Sequence, residues 1–292
     1  MSRLRPFDYF EPATLQEAIQ ILAKHGEDAR PLAGGTDLLV QMRDRKREPK
    51  VLVYLHKLQE LKAFGEDGKG NFRMGALTPI RVFETDPRMK ERFPVLYDGA
   101  VQFAAVQMRN MGTIGGNLCN AVPSAEMAPP FLVLDTKAVI VGPDGEKVIP
   151  LEQLFAGPSK NSLKPTELLK EVLVPLPGPR SAGCYIKLSP RRAMDIAIVG
   201  IAANVAMEGK DGVCKDVAIA LGAVSPTPKR ARRAEALLRG RRLADDLIEQ
   251  AAQLSAEEAS PITDIRGSAE YRREMVKVLT RRAIKRSLER IG

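Results

Sequence analysis

Tryptophan is absent from the 292-residue chain, and the aromatic residues together make up only 5% of it. The core must therefore be aliphatic, and a nucleic-acid surface built on rows of stacking rings is disfavoured. Histidine occurs twice, at His25 and His56, and cysteine three times, at Cys119, Cys184 and Cys214. No Ser/His/Asp set, His-Glu-x-x-His helix or cysteine pair at metal-ligand spacing is visible. Neither catalytic residues nor a metal site can be named, and any redox chemistry must be carried by a cofactor. An iron–sulfur cluster takes four thiolates as a rule, so this chain cannot build one alone. The scattered cysteines read as free thiols of a reducing compartment. No apolar run approaches the ~20 residues that cross a bilayer. Met1 to Phe10 carries no apolar signal core, so a cytoplasmic location follows by default.

Hydrophobic residues make up 44% of the chain, enough for a sizeable core. The length predicts one large or two ordinary domains. Charge is uneven. Residues 1–179 hold 23 Lys+Arg and 22 Asp+Glu, a net of +1, whereas residues 180–292 hold 22 and 14, a net of +8. A basic half suits nucleic acid, membrane or an acidic partner. Here the cations are interleaved with acids on predicted helices, which reads as a solvated face or a subunit contact.

Thr14-Leu15-Gln16-Glu17 is a capping box. Leu15, Ala18, Ile19 and Leu22 follow at helical spacing, and Gly26 is a stop signal. Ala29–Ala33 and Val51–Leu55 read as strands. A helix is predicted from about Val95 to Gln107, then a glycine-rich turn over Gly112–Asn117. Ala138–Val141 and Lys147–Ile149 form a hairpin turned at Pro143-Asp144-Gly145. Leu168–Val174 reads as a buried strand. Pro175, Pro177, Gly178 and Pro179 form a linker. Beyond it, Tyr185–Leu188, Ile196–Val205 and Val217–Leu221 read as a three-stranded meander, with Asp211-Gly212 in the second connection. Helices are predicted over Arg230–Leu254 and Tyr271–Arg290, the last with Tyr271, Met275, Val278 and Leu279 on one face. The chain is thus α/β followed by α+β.

Two glycine pairs stand out, in Ala33-Gly34-Gly35-Thr36-Asp37 and in Gly112-Thr113-Ile114-Gly115-Gly116-Asn117. Glycine permits positive φ and lets backbone amides approach an anion without a Cβ in the way. Successive amides in such turns form anion-binding nests. Two such loops, with the hydroxyls of Thr36 and Thr113, can clasp a diphosphate from both sides; each alone can also be a plain turn. Neither is a GxGxxG unit nor a phosphate-binding P-loop. A third stretch, Lys187-Leu188-Ser189-Pro190-Arg191-Arg192-Ala193-Met194-Asp195-Ile196, joins two predicted strands and mixes charged with apolar groups.

In this order and spacing, these segments resemble the FAD-binding medium subunit of carbon monoxide dehydrogenase and related molybdenum hydroxylases. They also resemble the flavin domain of xanthine dehydrogenase and aldehyde oxidase. The resemblance runs over nearly the whole chain. It includes Phe7-Asp8-Tyr9, Glu60-Leu61, Ala121–Glu126 and Asp264-Ile265-Arg266-Gly267-Ser268-Ala269-Glu270-Tyr271-Arg272. It implies a two-lobed FAD-binding fold like that of vanillyl-alcohol oxidase over residues 1–177, with lobes of about 1–56 and 57–177. A C-terminal domain of three-stranded antiparallel sheet and helices over 180–292 would follow. It further implies non-covalent FAD with its pyrophosphate between Leu32, Ala33, Gly34, Gly35, Thr36, Asp37 and Leu38 and Thr113, Ile114, Gly115, Gly116 and Asn117. Phe103 matches the residue that stacks on adenine, Glu126 lies near the ribose, Leu169 and Lys187 match FAD contacts, and Ile196 lies close to the isoalloxazine ring.

The resemblance also implies partners. A large molybdopterin-binding subunit oxidises the substrate, and a small 2Fe-2S subunit relays electrons to the FAD. The flavin passes them to NAD, a quinone or another acceptor, in a dimer of heterotrimers that needs no nucleic acid and no transmembrane segment. The hydroxybenzoyl-CoA reductase branch carries a cysteine-rich insertion for an extra cluster. Lys57–Gly75 is short and lacks cysteine here, so the chain departs from that branch. Two alternatives stay open: a stand-alone FAD-dependent oxidase of the wider fold and a basic nucleic-acid-binding module. A flavin-fold scaffold that has lost FAD is opposed by the intact glycine pairs.

Overall fold

The capping box at Thr14 starts a helix as its residues require. The computed structural model describes residues 4–191, 193–209 and 212–292; Met1 to Arg3, Arg192, Lys210 and Asp211 lie outside the described residues. Strand β1 (Asp8–Phe10) leads to α1 (Leu15–His25), β2 (Ala29–Leu32), α2 (Leu38–Arg43) and β3 (Val51–Tyr54). The Thr14 hydroxyl accepts from the Glu17 amide at 3.2 Å, while the Glu17 carboxylate returns to the Ala13 amide at 2.8 Å, one residue upstream of the usual capping box. Gly26 ends the helix at φ 53°. The three strands run parallel in the order β1-β3-β2. A parallel strand is covered on both faces. Val51 and Val53 accordingly meet Leu15, Ala18, Ile19 and Leu22 of α1, and Leu52 meets Met42 of α2.

The second lobe is an antiparallel sheet flanked by short helices. It comprises β4 (Phe64–Glu66), β5 (Asn71–Gly75), α3 (Ile80–Thr85), α4 (Pro87–Arg92), α5 (Pro94–Val101), α6 (Val106–Met111), α7 (Ile114–Asn120), α8 (Ala128–Leu132), β6 (Lys137–Gly142), β7 (Gly145–Pro150), β8 (Phe155–Gly157), β9 (Lys160–Asn161) and β10 (Leu168–Pro175). The main sheet has the order β4-β5-β10-β6-β7, and β8 and β9 pair separately. The predicted hairpin forms, with Gly142 opposite Gly145 at φ 101°. The few aromatics concentrate in this core: Phe72, Phe83, Phe93 and Phe131 are fully buried. Phe72 meets Phe93, and Phe83 meets Phe131, edge to face.

Two sequence expectations fail in this lobe. The helix expected over Val95–Gln107 is two helices, broken at 102–105 where Ala104 takes φ 37°. The Gly112–Asn117 segment is not a turn throughout. Thr113 caps α7, accepting from the Gly116 amide at 3.0 Å, so both glycines of the pair lie in the first helical turn.

The C-terminal sheet has four strands, not three: β11 (Ser181–Leu188), β12 (Val199–Glu208), β13 (Val213–Gly222) and β14 (Lys229–Arg230), in that order. The fourth is two residues long, too short for alternation to signal it. Ile196 precedes β12. The helix expected over Arg230–Leu254 is α9 (Arg232–Leu238) and α10 (Asp245–Glu258), separated at Gly240 with φ 71°. Helix α11 (Ala269–Ile291) closes the chain. Its buried face is Arg272, Val276, Leu279, Ala283 and Ile284, so Tyr271 stands exposed. The rotation follows from Arg272, which points inward to the carbonyls of Ile198 and Ala223 and to Asp264. The opposite sheet face carries small residues. Ala202, Ala218 and Ala220 join the core of the second lobe with Tyr185.

Candidate cofactor-binding site

The first glycine loop connects β2 to α2 and leaves its amides bare. Helical bonding begins with Leu39 N to Gly35 O at 3.1 Å. The amides of Gly34, Gly35, Thr36, Asp37 and Leu38 donate to nothing among the described residues. Five successive amides that bond to no ladder or helical carbonyl, the last of them in the first residue of α2, form a backbone nest suited to an anion. Gly35 needs its φ of 72°. Gly34 is glycine for another reason: a Cβ there would stand 1.9 Å from the Met111 carbonyl oxygen. The loop is thus pressed against the end of α6, and the two lobes meet at the glycine-bearing segments.

The second segment contributes differently from the first. Its amides are already bonded: Ile114 to Thr78 O at 3.0 Å, Gly115 to Ala76 O at 2.9 Å, Gly116 to the Thr113 hydroxyl, and Asn117 to Thr113 O at 3.0 Å. A Cβ on Gly115 would stand 2.7 Å from Ala76 Cβ, so this glycine serves the packing of α7 on the strand end beneath. A Cβ on Gly116 would meet only Thr113 Oγ1, at 3.1 Å, and otherwise open space. Asn117 Oδ1 and Thr78 Oγ1 are buried without a hydrogen-bond partner among the described residues. Orphaned buried polar atoms of this kind call for a ligand or solvent partner. The segment therefore offers side-chain groups and a bare glycine face, not a second row of free amides.

Phe103 stands where the segments converge. The Cβ position of Gly112 lies 3.8 Å from Thr36 Oγ1 and 3.9 Å from Phe103 Cε1. Lys187, at the end of β11, buries its ammonium among Glu126 Oε1 (2.7 Å), Asp195 O (2.6 Å) and Gln102 O (3.3 Å). Burial raises the Glu126 carboxyl above its ordinary range; Lys187 opposes the rise and Asp37 adds to it. Partial desolvation by the surrounding loop raises Asp37 likewise, although the residue is exposed. The loop after Lys187 leaves Met194 and Ile196 largely exposed, and Gln102 with Lys187–Arg191 lines a cavity of about 310 Å³. Leu169 lies buried in the second-lobe core, with little surface to offer a ligand.

The structure thus brings Gly34–Thr36, Phe103 and Gly112 together, and separately joins Lys187 to Glu126. It adds residues that no motif marked: Gln102, whose amide oxygen accepts from Lys187 N at 3.1 Å, and Arg109, which donates to Phe103 O at 2.6 Å. Their partners are distant in sequence or in an irregular segment, so no spacing rule could find them. The histidines act with rings, His25 against Phe10 and His56 stacked on Tyr54. Cys184 and Cys214 are buried, which pushes their thiols up to about 12 and about 11. Free amides and an open glycine face at one seam fit a diphosphate-containing cofactor, and the Asn117 amide oxygen can accept from a donor on such a cofactor or from solvent.

Comparisons with known proteins agree with that fit. A family model described as the FAD binding domain in molybdopterin dehydrogenase matches residues 5–177, and the CO dehydrogenase flavoprotein C-terminal domain matches residues 184–287. The chain is 31% identical to a putative xanthine dehydrogenase FAD-binding subunit of Escherichia coli, over 97% of each chain. It is 33% identical to a carbon monoxide dehydrogenase medium chain of Afipia carboxidovorans, over 97% of each. Among solved structures, a carbon monoxide dehydrogenase from Hydrogenophaga pseudoflava superposes with a TM-score of 0.95 at 30% identity, covering 99% of this chain and 100% of that one. The quinoline 2-oxidoreductase of Pseudomonas putida superposes at 0.91 with 31% identity, covering 99% of each. No helix among the described residues is long and apolar enough to cross a membrane.

Proposed function

The chain belongs to the family of FAD-binding subunits of molybdopterin dehydrogenases, and from that premise we propose that it binds FAD non-covalently to carry electrons between a partner's 2Fe-2S clusters and an external acceptor. The acceptor is NAD, a quinone or another oxidant. The partners are a large molybdopterin-binding subunit and a small 2Fe-2S subunit, in a cytoplasmic dimer of heterotrimers. The FAD domain is 1–177, of two lobes in the manner of vanillyl-alcohol oxidase. Residues 180–292 form the C-terminal domain, whose net charge of +8 favours a role in contacting the partners.

The observation that carries this reading is the row of unbonded amides from Gly34 to Leu38 at the seam between the lobes. They donate to the diphosphate, and the Thr113 hydroxyl donates from the opposite wall across the bare face of Gly116, with the Asn117 side-chain amide beside it. Phe103 takes the adenine and Glu126 the ribose side. Lys187 fixes the base of the loop that brings Ile196 to the flavin ring, and Leu169 backs the site from the second-lobe core. Bound flavin supplies the exchange between one-electron and two-electron chemistry that no side chain of this protein can perform.

Native purification followed by a visible spectrum, then denaturation and identification of the released cofactor, tests the reading. FAD released without covalent attachment and without iron is the expected result. A chain that takes up no FAD, even after reconstitution with its partner subunits, overturns it.

A further inference from the structure

The break between α5 and α6 has an unusual set of ties. Three consecutive carbonyls accept from three separate elements: Gln102 O from the Lys187 ammonium at 3.3 Å, Phe103 O from Arg109 Nη1 at 2.6 Å, and Ala104 O from Met194 N at 3.5 Å. Within it Ala104 holds φ 37°, a conformation that a non-glycine residue adopts only when its surroundings impose it. Arg109 is the central tie. It is 7% exposed, and its remaining donors go to Glu84, at 2.7 and 3.4 Å. A guanidinium taken out of water must be held by well-placed acceptors. Arg109 is too enclosed to reach a ligand itself. Its free donor is spent on one backbone carbonyl, that of the half-buried Phe103, whose ring edge lies 3.9 Å from the Cβ position of Gly112.

We propose that Arg109, braced by Glu84, is a positioning residue that imposes the Ala104 kink and so aims the Phe103 ring as a stacking platform for the adenine of the dinucleotide. This rests on the FAD reading above. The device also reaches the flavin-side loop, because the same segment takes Met194 N. Glu84 has a second partner in Arg81, at 2.5 Å, so Arg109→Met removes the tie without orphaning the carboxylate.

A double-mutant cycle on FAD affinity tests the proposal. Kd is measured by flavin fluorescence quenching for the full chain, Phe103→Ala, Arg109→Met and the double variant. We expect Arg109→Met to weaken FAD binding about tenfold when Phe103 is present and less than about twofold in the Phe103→Ala background. An equal loss in both backgrounds shows a merely structural role and overturns the proposal. Should Arg109→Met fail to fold, Arg109→Lys, which can pair with Glu84 but not span to Phe103 O as well, is read against the same two outcomes. Wild-type chain that binds FAD while Phe103→Ala binds it equally well overturns this proposal alone. Wild-type chain that binds none overturns the cofactor reading and the proposal with it.

Discussion

Gly34 and Gly115 are glycines for reasons internal to the protein. A side chain at Gly34 drives into the Met111 carbonyl, and one at Gly115 into Ala76, so loss of FAD from either variant mixes misfolding with a blocked site. Gly116 separates the two effects. Gly116→Ala adds a methyl group whose one close neighbour is Thr113 Oγ1, at 3.1 Å, in the first turn of α7, where alanine is favoured over glycine by up to ~1 kcal/mol. The expected outcome is an unfolding midpoint unchanged or raised and an FAD affinity about tenfold weaker. Gly34→Ala is expected to lower the midpoint, by about 1–3 kcal/mol of overpacking. Unchanged FAD affinity in Gly116→Ala removes the start of α7 from the cofactor wall. The Glu126–Lys187 pair gives a second residue-scale prediction. Lys187→Met leaves a buried carboxylate without its counter-charge, a cost of about 3–5 kcal/mol when one partner of a buried pair is removed. Because Glu126 is raised in the folded state, more protons are bound there than in the unfolded chain. Stability is therefore greatest at acid pH and falls as pH rises from the ordinary carboxylate range through the raised value. Urea midpoints of Lys187→Met across pH 4 to 8, about the window in question, should drift downward, and Lys187→Met/Glu126→Gln should abolish the drift. The glycine pairs were visible as local motifs, while Lys187 was singled out only by the resemblance. Gln102 and Arg109 were marked by neither, since they act through contacts that the fold alone creates.

At the scale of elements, what could be read depended on whether a residue's local preference agreed with its tertiary role. Helix α1 and the β6–β7 hairpin were legible because capping, alternation and turn chemistry all point the same way. Helix α7 was hidden by its two glycines, which lower helix propensity; Ala76 beneath requires one of them, Gly115. The α5–α6 break was hidden because alanine carries no signal for a left-handed conformation; its cause lies in Lys187, Arg109 and Met194. Arg272 rotated the expected face of α11 because a buried guanidinium with three acceptors outweighs a neat apolar stripe. Helix α7 offers a direct test of its cap. Thr113→Ala removes the acceptor of the Gly116 amide and should cost about 1 kcal/mol in urea unfolding, with Thr113→Ser restoring most of it. If Thr113→Ala unfolds at the wild-type midpoint, the cap contributes nothing and the glycines alone set where the helix starts.

At the scale of the molecule, the proline-rich linker suggests two independent domains, but the packing argues for one cooperative unit. The small-residue face of the C-terminal sheet closes directly on the second lobe: a Cβ at Gly222 would meet Pro129 Cγ at 2.8 Å, and one at Gly183 would meet Val95 Cβ at 3.0 Å. Ala202, Ala218, Ala220 and Tyr185 belong to the same continuous core as Phe72 and Phe131. An ion pair spans the junction from the end of the chain, with Arg290 donating to Asp98 at 2.7 and 2.9 Å while Asp98 also accepts from the Tyr185 amide. Neither domain could expose this face alone without uncovering apolar surface, at roughly 25 cal/mol for each square ångström. Calorimetry of the full chain should therefore show a single transition, with calorimetric and van't Hoff enthalpies in agreement. Gly222→Val, which forces the sheet away from Pro129, should split that transition or broaden it. Two resolved transitions in the wild-type chain would mean that the glycine and alanine face is a contact of convenience. The cofactor site would then sit on a first domain able to hold it without the C-terminal half, and Lys187, which lies beyond the linker, would lose its part in holding the flavin side of the cleft.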